Sequence, residues 1–113
     1  LMNLKTGASF PLEAANSEDA DSYHNWSIGS HWFVFTSRRE NGLYSQLYLS
    51  CIDDEGKPTK PFLLPQKDPK KYYATTLYSF NTPDFTSRPV EFDSRAASSA
   101  ISSDKRIPTS IKQ

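Results

Sequence analysis

The chain has 113 residues, equal numbers of acidic and basic side chains, and an aromatic content of 13%. This length fits one small domain, and the balanced charge argues against a nucleic-acid-binding module or a polybasic membrane-binding surface. Two Trp, six Tyr and seven Phe favour strands over disorder. Cys51 is the only cysteine and has no intrachain partner for a disulfide, and no apolar run reaches the about 18 residues of a transmembrane segment.

The first predicted element is a hairpin over residues 1–12. Two short apolar runs flank the turn signal Lys5-Thr6-Gly7, in which Gly7 supplies a positive φ. Pro11 removes a backbone donor, so the hairpin is expected at an outer edge. Because the run Leu1-Met2-Asn3-Leu4 reads as the middle of a strand and no signal peptide is visible, we expect the chain to be a piece of a longer protein.

An acidic loop over residues 13–21 leads to the most regular stretch of the chain. Residues 22–27 alternate as a strand, with His24 and Trp26 on one face and Tyr23 and Asn25 on the other. A tight turn over residues 28–31 follows. The run Trp32–Thr36 is β-branched and aromatic, which is typical of a central buried strand.

Two further strands complete an antiparallel meander. The turn dipeptide Asn41-Gly42 precedes a third strand over Leu43–Ile52. The polar turn over residues 53–58 leads to a fourth strand over Thr59–Pro65. Pro61 and Pro65 mark this last strand as an edge.

The hairpin over residues 1–12 and the segment over residues 50–63 resemble each other, with Gly7 and Gly56 separated by 49 positions. A period of about 40–50 residues that carries four strands is typical of a β-propeller blade. We therefore interpret residues 1–12 as the end of a preceding blade and residues 22–65 as a complete blade, which gives an all-β fold class.

Residues 66–113 depart from this repeat and are interpreted as a C-terminal cap or closure segment with short helices. Asp68-Pro69 begins one helix, and Asp93 or Ser94 begins another that extends to about Ser102. Short strands are expected over Pro89–Phe92 and Ile107–Ile111. The alternative is an unstructured tail after residue 86.

No pattern of catalytic residues emerges from the sequence. His24 and His31 are the only histidines, their spacing matches no metal site, and no nucleophile elbow or glycine-rich phosphate loop occurs. We therefore expect a non-enzymatic chain with no metal and no cofactor. An acidic cation-binding loop with Glu18, Asp19 and Asp21 lacks the EF-hand spacing and its glycine.

Five residues remain as candidates for binding. In a propeller the first strand of each blade lines the central channel, which places Tyr23, His24 and Asn25 near a ligand. Arg38 and Arg39 are candidates for contact with an anion or a partner. The alternatives are core packing for His24, and ion pairs or solvent exposure for the two arginines. For Trp26 and Trp32, core packing and a sugar-stacking role both stay open.

The stretch Trp26-Ser27-Ile28-Gly29-Ser30-His31-Trp32-Phe33-Val34-Phe35-Thr36-Ser37 resembles the repeat of TolB-type, WD-like bacterial β-propellers. That repeat consists of Trp-Ser-Pro-Asp-Gly, a spacer and an apolar strand that ends in Ser-Ser. Its last strand is similar to Leu47–Asp53 and to Leu1–Leu4. This chain has Ile28-Gly29-Ser30 in place of Pro-Asp-Gly, so Gly29 is expected to supply the unusual φ of the turn.

The resemblance implies a scaffold that binds a protein partner, or a small ligand at the propeller channel, in the periplasm or outside the cell. A first alternative is the propeller portion of a prolyl-oligopeptidase-like hydrolase whose catalytic domain is absent here. A second alternative is a carbohydrate-binding module with Trp and Tyr as stacking platforms. A lone blade leaves apolar faces open, so we also expect self-association.

Overall fold

The computed structural model describes residues 1–105, and its centre is a single antiparallel sheet. The strands lie in the order β1-β2-β3-β4, which confirms the predicted meander. Two short helices follow the sheet, and no helix in the described part of the chain is long and apolar enough to cross a membrane. The elements are β1 (Asp21–Trp26), β2 (Trp32–Ser37), β3 (Gln46–Cys51), β4 (Phe62–Leu63), α1 (Pro69–Thr75) and α2 (Ser94–Ile101).

The strand register divides the sheet into two faces. Residues that lie directly opposite each other in paired strands point to the same face. The first face therefore combines Trp26 with Phe33, and Phe35 with Tyr48. The second face combines Asn25 with Val34, Val34 with Leu49, Leu49 with Phe62, and Trp32 with Cys51.

An irregularity in β1 determines which of its side chains reach the first face. The register shifts between Ser22 and Asn25, and Tyr23 has a φ of 56°. Asp21 and Trp26 are five positions apart, so strict alternation would place them on opposite faces. The extra residue of the bulge instead allows both to pair with first-face residues of β2.

The hydrophobic core lies on the first face. Phe33, Phe35, Tyr48 and Ile52 are buried together with Ala15. Ala15 comes from the N-terminal segment, so that segment covers this face, and Leu12 and Leu63 pack at the margin of the core. Burial of each large side chain stabilises the fold by about 1.5–3 kcal/mol.

The two turns predicted around Gly7 and Gly56 are built in a similar way. Both glycines have a positive φ, 72° and 83° respectively. In each turn a side-chain oxygen, from Asn3 or Asp53, accepts hydrogen bonds from two backbone N–H groups of its own turn. The Gly56 turn lies beside the open end of the N-terminal hairpin, because a Cβ on Gly56 would lie 3.1 Å from Cζ of Phe10.

Several predicted strands are shorter than expected. The third strand begins at Gln46, and Leu43 is exposed in the loop before it. The fourth strand is reduced to two residues between Pro61 and Pro65, neither of which has a backbone N–H to donate. The hairpin over residues 1–12 contains a single β-bridge, between Met2 and Ser9.

Two local predictions are wrong. The left-handed residue of the turn between β1 and β2 is Ser30, with a φ of 57°, and not Gly29. The strand expected over Pro89–Phe92 does not form, because this segment makes no ladder hydrogen bonds to the sheet. The strand expected over Ile107–Ile111 lies outside the described residues.

Both predicted helices are confirmed, with the predicted caps. The carboxylate of Asp68 accepts a hydrogen bond from the N–H of Lys71, and that of Asp93 accepts from the N–H groups of Arg95 and Ala96. Residues 73–84 are tied to the sheet: the Tyr73 hydroxyl donates to the Leu64 carbonyl and the Phe80 N–H to the Ser45 carbonyl. Within the described range, the hydrogen bonds of residues 85–105 are all local.

Candidate functional site

The three residues predicted to face a propeller channel do not converge on one point. Tyr23 is exposed at the bulge of β1. His24 lies against the first face, where its ring stacks on Phe35 at a centroid distance of 5.5 Å. Asn25 is paired with Val34 on the second face. The alternation of the strand already separates His24 from Asn25, and the bulge additionally leaves Tyr23 exposed and without a partner in β2.

Asn25 connects the C-terminal segment to the sheet through hydrogen bonds. Its side-chain amide donates to the Pro83 carbonyl at 3.2 Å and to the Asp84 carboxylate at 2.9 Å. At the opposite end of the sheet, the Ser79 hydroxyl accepts from the N–H of Ser45. The segment that contains residues 79–84 consequently runs from the start of β3 to β1.

A cleft of about 360 Å³ lies between β1 and the N-terminal segment. We call it the His24 cleft, because the His24 ring forms one of its walls. Its aromatic side consists of His24, Trp26 and Phe33, with the Trp26 and Phe33 rings 5.1 Å apart. The opposite side comprises Pro11, Leu12 and Asn16.

The two arginines predicted to contact an anion or partner have different surroundings. Arg38 is exposed, whereas the guanidinium of Arg39 contacts Asp21 at 2.9 Å and donates to the Ala15 carbonyl at 2.7 Å. This guanidinium also lies over the rings of Phe35 and Tyr48, at 5.2 and 4.7 Å from their centroids. Arg39 thus joins the N-terminal segment to the core of the sheet.

The ionisation of Asp21 is coupled to this network. Partial burial acts to raise its pKa, but hydrogen bonds from Ser37, Arg39 and Ser17 outweigh that effect and hold the pKa below its ordinary value. The pKa of the neighbouring Tyr48 is raised, first by burial and then by the Glu40 carboxylate, which its hydroxyl contacts. Both groups therefore keep their usual charge at neutral pH.

The second face carries an exposed aromatic pair, Trp32 and Phe62. Their rings meet edge to face with centroids 6.2 Å apart. Trp32 is 43% exposed and Phe62 is 42% exposed, while Leu49 and Cys51 beside them are half-buried. We refer to Trp32 and Phe62 as the aromatic pair.

The sequence did not identify two of the residues that form these surfaces. The sequence assigns Asn16 only to the acidic loop over residues 13–21, and Phe62 only to the fourth strand. The hydrophobic pattern carried no signal for Asn16, because its place in the cleft depends on how the N-terminal segment folds back. For Phe62, the flanking prolines indicated an edge, which is where exposed side chains occur.

The carboxylates of the acidic loop do not form a cluster that could bind a cation. Asp21 is committed to Arg39 and to Ser17, whose hydroxyl donates to it at 2.9 Å. Among residues 1–105, no group of three His, Cys, Asp or Glu side chains is arranged to hold a metal ion.

Comparison of the chain with models of known protein families, with curated proteins and with solved structures found no match.

Proposed function

We propose that this chain is part of a TolB-type β-propeller and serves as a non-catalytic module that binds a protein partner in the bacterial cell envelope. The observation that carries the binding role is the aromatic pair on the second face. Trp32 and Phe62 each expose about two fifths of their surface, 43% and 42%, on a face whose central residues Val34 and Thr36 are buried.

Large aromatic side chains in this setting are typical of protein interfaces. Trp and Phe are enriched at the centre of such interfaces, where their rings leave water on binding. The edge-to-face contact between Trp32 and Phe62 holds both rings in a fixed geometry. A partner that covers them therefore restricts little additional motion on binding.

The propeller assignment is supported by three features of the described residues. The sheet is a four-stranded meander in chain order, as a blade requires. The turns around Gly7 and Gly56 each contain a glycine of positive φ and a side-chain oxygen that accepts two backbone hydrogen bonds, as repeated turns of adjacent blades would. The N-terminal segment packs on the first face of the sheet, and the proposal requires a preceding blade to pack on such a face.

The location in the periplasm or outside the cell is the part of the proposal that rests on the resemblance of residues 26–37 to the TolB-type repeat. Two of the predicted site residues contribute to the fold and lie outside the proposed binding surface. Asn25 and Arg39 both act within the chain, where they hold segments of the fold together.

Site-specific photo-cross-linking tests the binding role. A photoreactive phenylalanine analogue replaces Phe62, and in a matched control it replaces Leu43, which is exposed in a loop away from the aromatic pair. Both forms are exported to the envelope of a bacterium that naturally produces the chain. We expect a discrete protein adduct from position 62 only, and its loss when Trp32→Asp is added.

Equal adducts from positions 62 and 43, or an adduct from position 62 that persists with Trp32→Asp, would contradict the proposal. Absence of any adduct at position 62 would do the same.

A further inference from the structure

The aromatic wall of the His24 cleft is held in position by packing within the protein. The Trp26 ring packs on Phe33 at 5.1 Å, and the His24 ring stacks on Phe35 at 5.5 Å with an interplanar angle of 14°. Phe33 and Phe35 are fully buried, so they hold the two outer rings in place. Trp26 nevertheless remains 38% exposed and offers a ring surface to a ligand.

Hydrogen-bonding groups without a protein partner surround this wall. Among residues 1–105, the side-chain amide of Asn16, the ring nitrogens of His24 and the indole N–H of Trp26 make no hydrogen bond to the protein. Together they present both donors and acceptors. A ligand whose groups donate and accept at once, such as a hydroxyl, satisfies them without a change of protonation.

The charge of the cleft favours a neutral ligand. No charged side chain of the described residues lines it. By contrast, the neighbouring groove beside Gly56 is lined by Glu13, Glu55 and Lys57. Leu1, which also lines the cleft, carries an α-ammonium, and this group donates to the Phe10 carbonyl at 2.9 Å, so no charged side chain of the lining pairs with a phosphate, a carboxylate or an ammonium group.

The size of the cleft limits the ligand to a small one. Its volume of about 360 Å³ lies near the lower end of the range of ligand pockets. One or two rings fill such a space, whereas a folded partner does not enter it.

We propose that the His24 cleft binds one ring of a neutral sugar. The apolar C–H side of a pyranose lies on the Trp26 ring, whose negative face attracts these hydrogens. The hydroxyls at the ring edge exchange hydrogen bonds with Asn16 and His24. This site is separate from the aromatic pair on the second face. The sugar-binding proposal therefore does not depend on the proposed protein partner.

The two tryptophans provide an internal comparison for a direct test. A chain labelled with ¹⁵N at tryptophan gives two indole N–H signals, which single Trp→Phe variants assign. The probes are glucose, galactose, N-acetylglucosamine and their β-linked disaccharides. Glucuronate, adenosine and tryptophan amide are the comparison ligands. We expect a saturable shift of the Trp26 signal with at least one neutral sugar, and no comparable shift of the Trp32 signal.

Variants locate the site independently of the spectra. Asn16→Ala removes an exposed side chain that makes no hydrogen bond to the described residues, so the fold should persist, and we expect sugar affinity to fall about three- to tenfold. Trp26→Ala should lower it about tenfold or more. Trp32→Ala, the matched control, should leave it unchanged. Circular dichroism checks that each variant is folded. If Trp26→Ala does not fold, the sugar affinity of Asn16→Ala tests the proposal.

Several results would overturn the proposal. One is the absence of any Trp26 shift with every neutral sugar. Others are an equal or larger shift at Trp32, tighter binding of a comparison ligand, and full affinity in Asn16→Ala.

Discussion

The two faces of the sheet are built from alternate residues of the same strands, yet they differ in how they are covered. On the first face, the N-terminal segment and Arg39 enclose Phe33, Phe35 and Tyr48. On the second face, the chain that contains residues 79–84 is fixed at Ser45 and Asn25, and the aromatic pair stays exposed. The large aromatic core therefore lies on the first face, whereas the second face is covered at Val34 and Thr36 and exposed at the aromatic pair.

Truncation of an aromatic ring should give the largest difference in stability between the two faces. Phe35 is 1% exposed and contacts His24, Phe33 and Tyr48. Phe35→Ala is expected to lower the free energy of unfolding by about 3–5 kcal/mol, which is a large fraction of the stability of a small domain. Phe62→Ala on the second face should lower it by less than about 1 kcal/mol. Urea titration followed by circular dichroism measures both, and equal losses would contradict the distinction.

Removal of the guanidinium that joins the N-terminal segment to the first face should have the next largest effect. Arg39→Ala leaves the Asp21 carboxylate and the Ala15 carbonyl without their partner and uncovers two aromatic rings. We expect a loss of about 2–4 kcal/mol in urea unfolding. The exposed neighbour provides the control, since Arg38→Ala should change stability by less than about 0.5 kcal/mol. If Arg39→Ala lowered stability as little as Arg38→Ala, the contacts of Arg39 would contribute little to the stability of the fold.

The same network predicts a dependence of stability on pH. Hydrogen bonds hold the folded-state pKa of Asp21 below its ordinary value of 3.8. The stabilisation is complete above that value and is lost as the pH falls through the lower, folded-state pKa. Urea unfolding at neutral pH and at about pH 3 should show a smaller acid-induced loss in Asp21→Asn than in the original chain. An identical acid-induced loss in both proteins would refute the coupling.

Substitution of the helix N-cap residues is expected to change stability least. These variants extend the comparison from the sheet to the two helices. Asp68 caps α1, which is followed by residues tied to the sheet, so Asp68→Ala should cost about 1 kcal/mol of global stability. Asp93 caps α2, whose hydrogen bonds among the described residues are local. Asp93→Ala should lower helical ellipticity without a change in the unfolding midpoint. A lower midpoint would mean that α2 is part of the cooperative core.

Much of the fold follows from local signals in the sequence. The run Trp32–Thr36, the turn at Asn41-Gly42 and the caps Asp68 and Asp93 each depend on neighbouring residues, and each is found as predicted. The strands that were too long in the prediction end at loops or prolines, where pairing with another strand decides the boundary.

The candidate site was less accessible to sequence analysis. Alternation alone assigns Tyr23 and Asn25 to one face, but it does not reveal a bulge, since the extra residue is stabilised by pairing across the sheet. Arg39 next to Arg38 gave no indication of which one is buried. That difference depends on Asp21, which lies 18 positions away and reaches Arg39 only because of the same bulge.

Sedimentation velocity over a range of protein concentrations tests the central proposal, that the exposed aromatic pair on the second face mediates binding. In the absence of a partner, the chain should self-associate through the aromatic pair, so its sedimentation coefficient should rise with concentration. Phe62→Asp should abolish that rise, whereas Leu43→Asp, at an exposed position in the loop before β3, should not. A well-folded monomer at every concentration, or the same rise in Phe62→Asp, would contradict the claim.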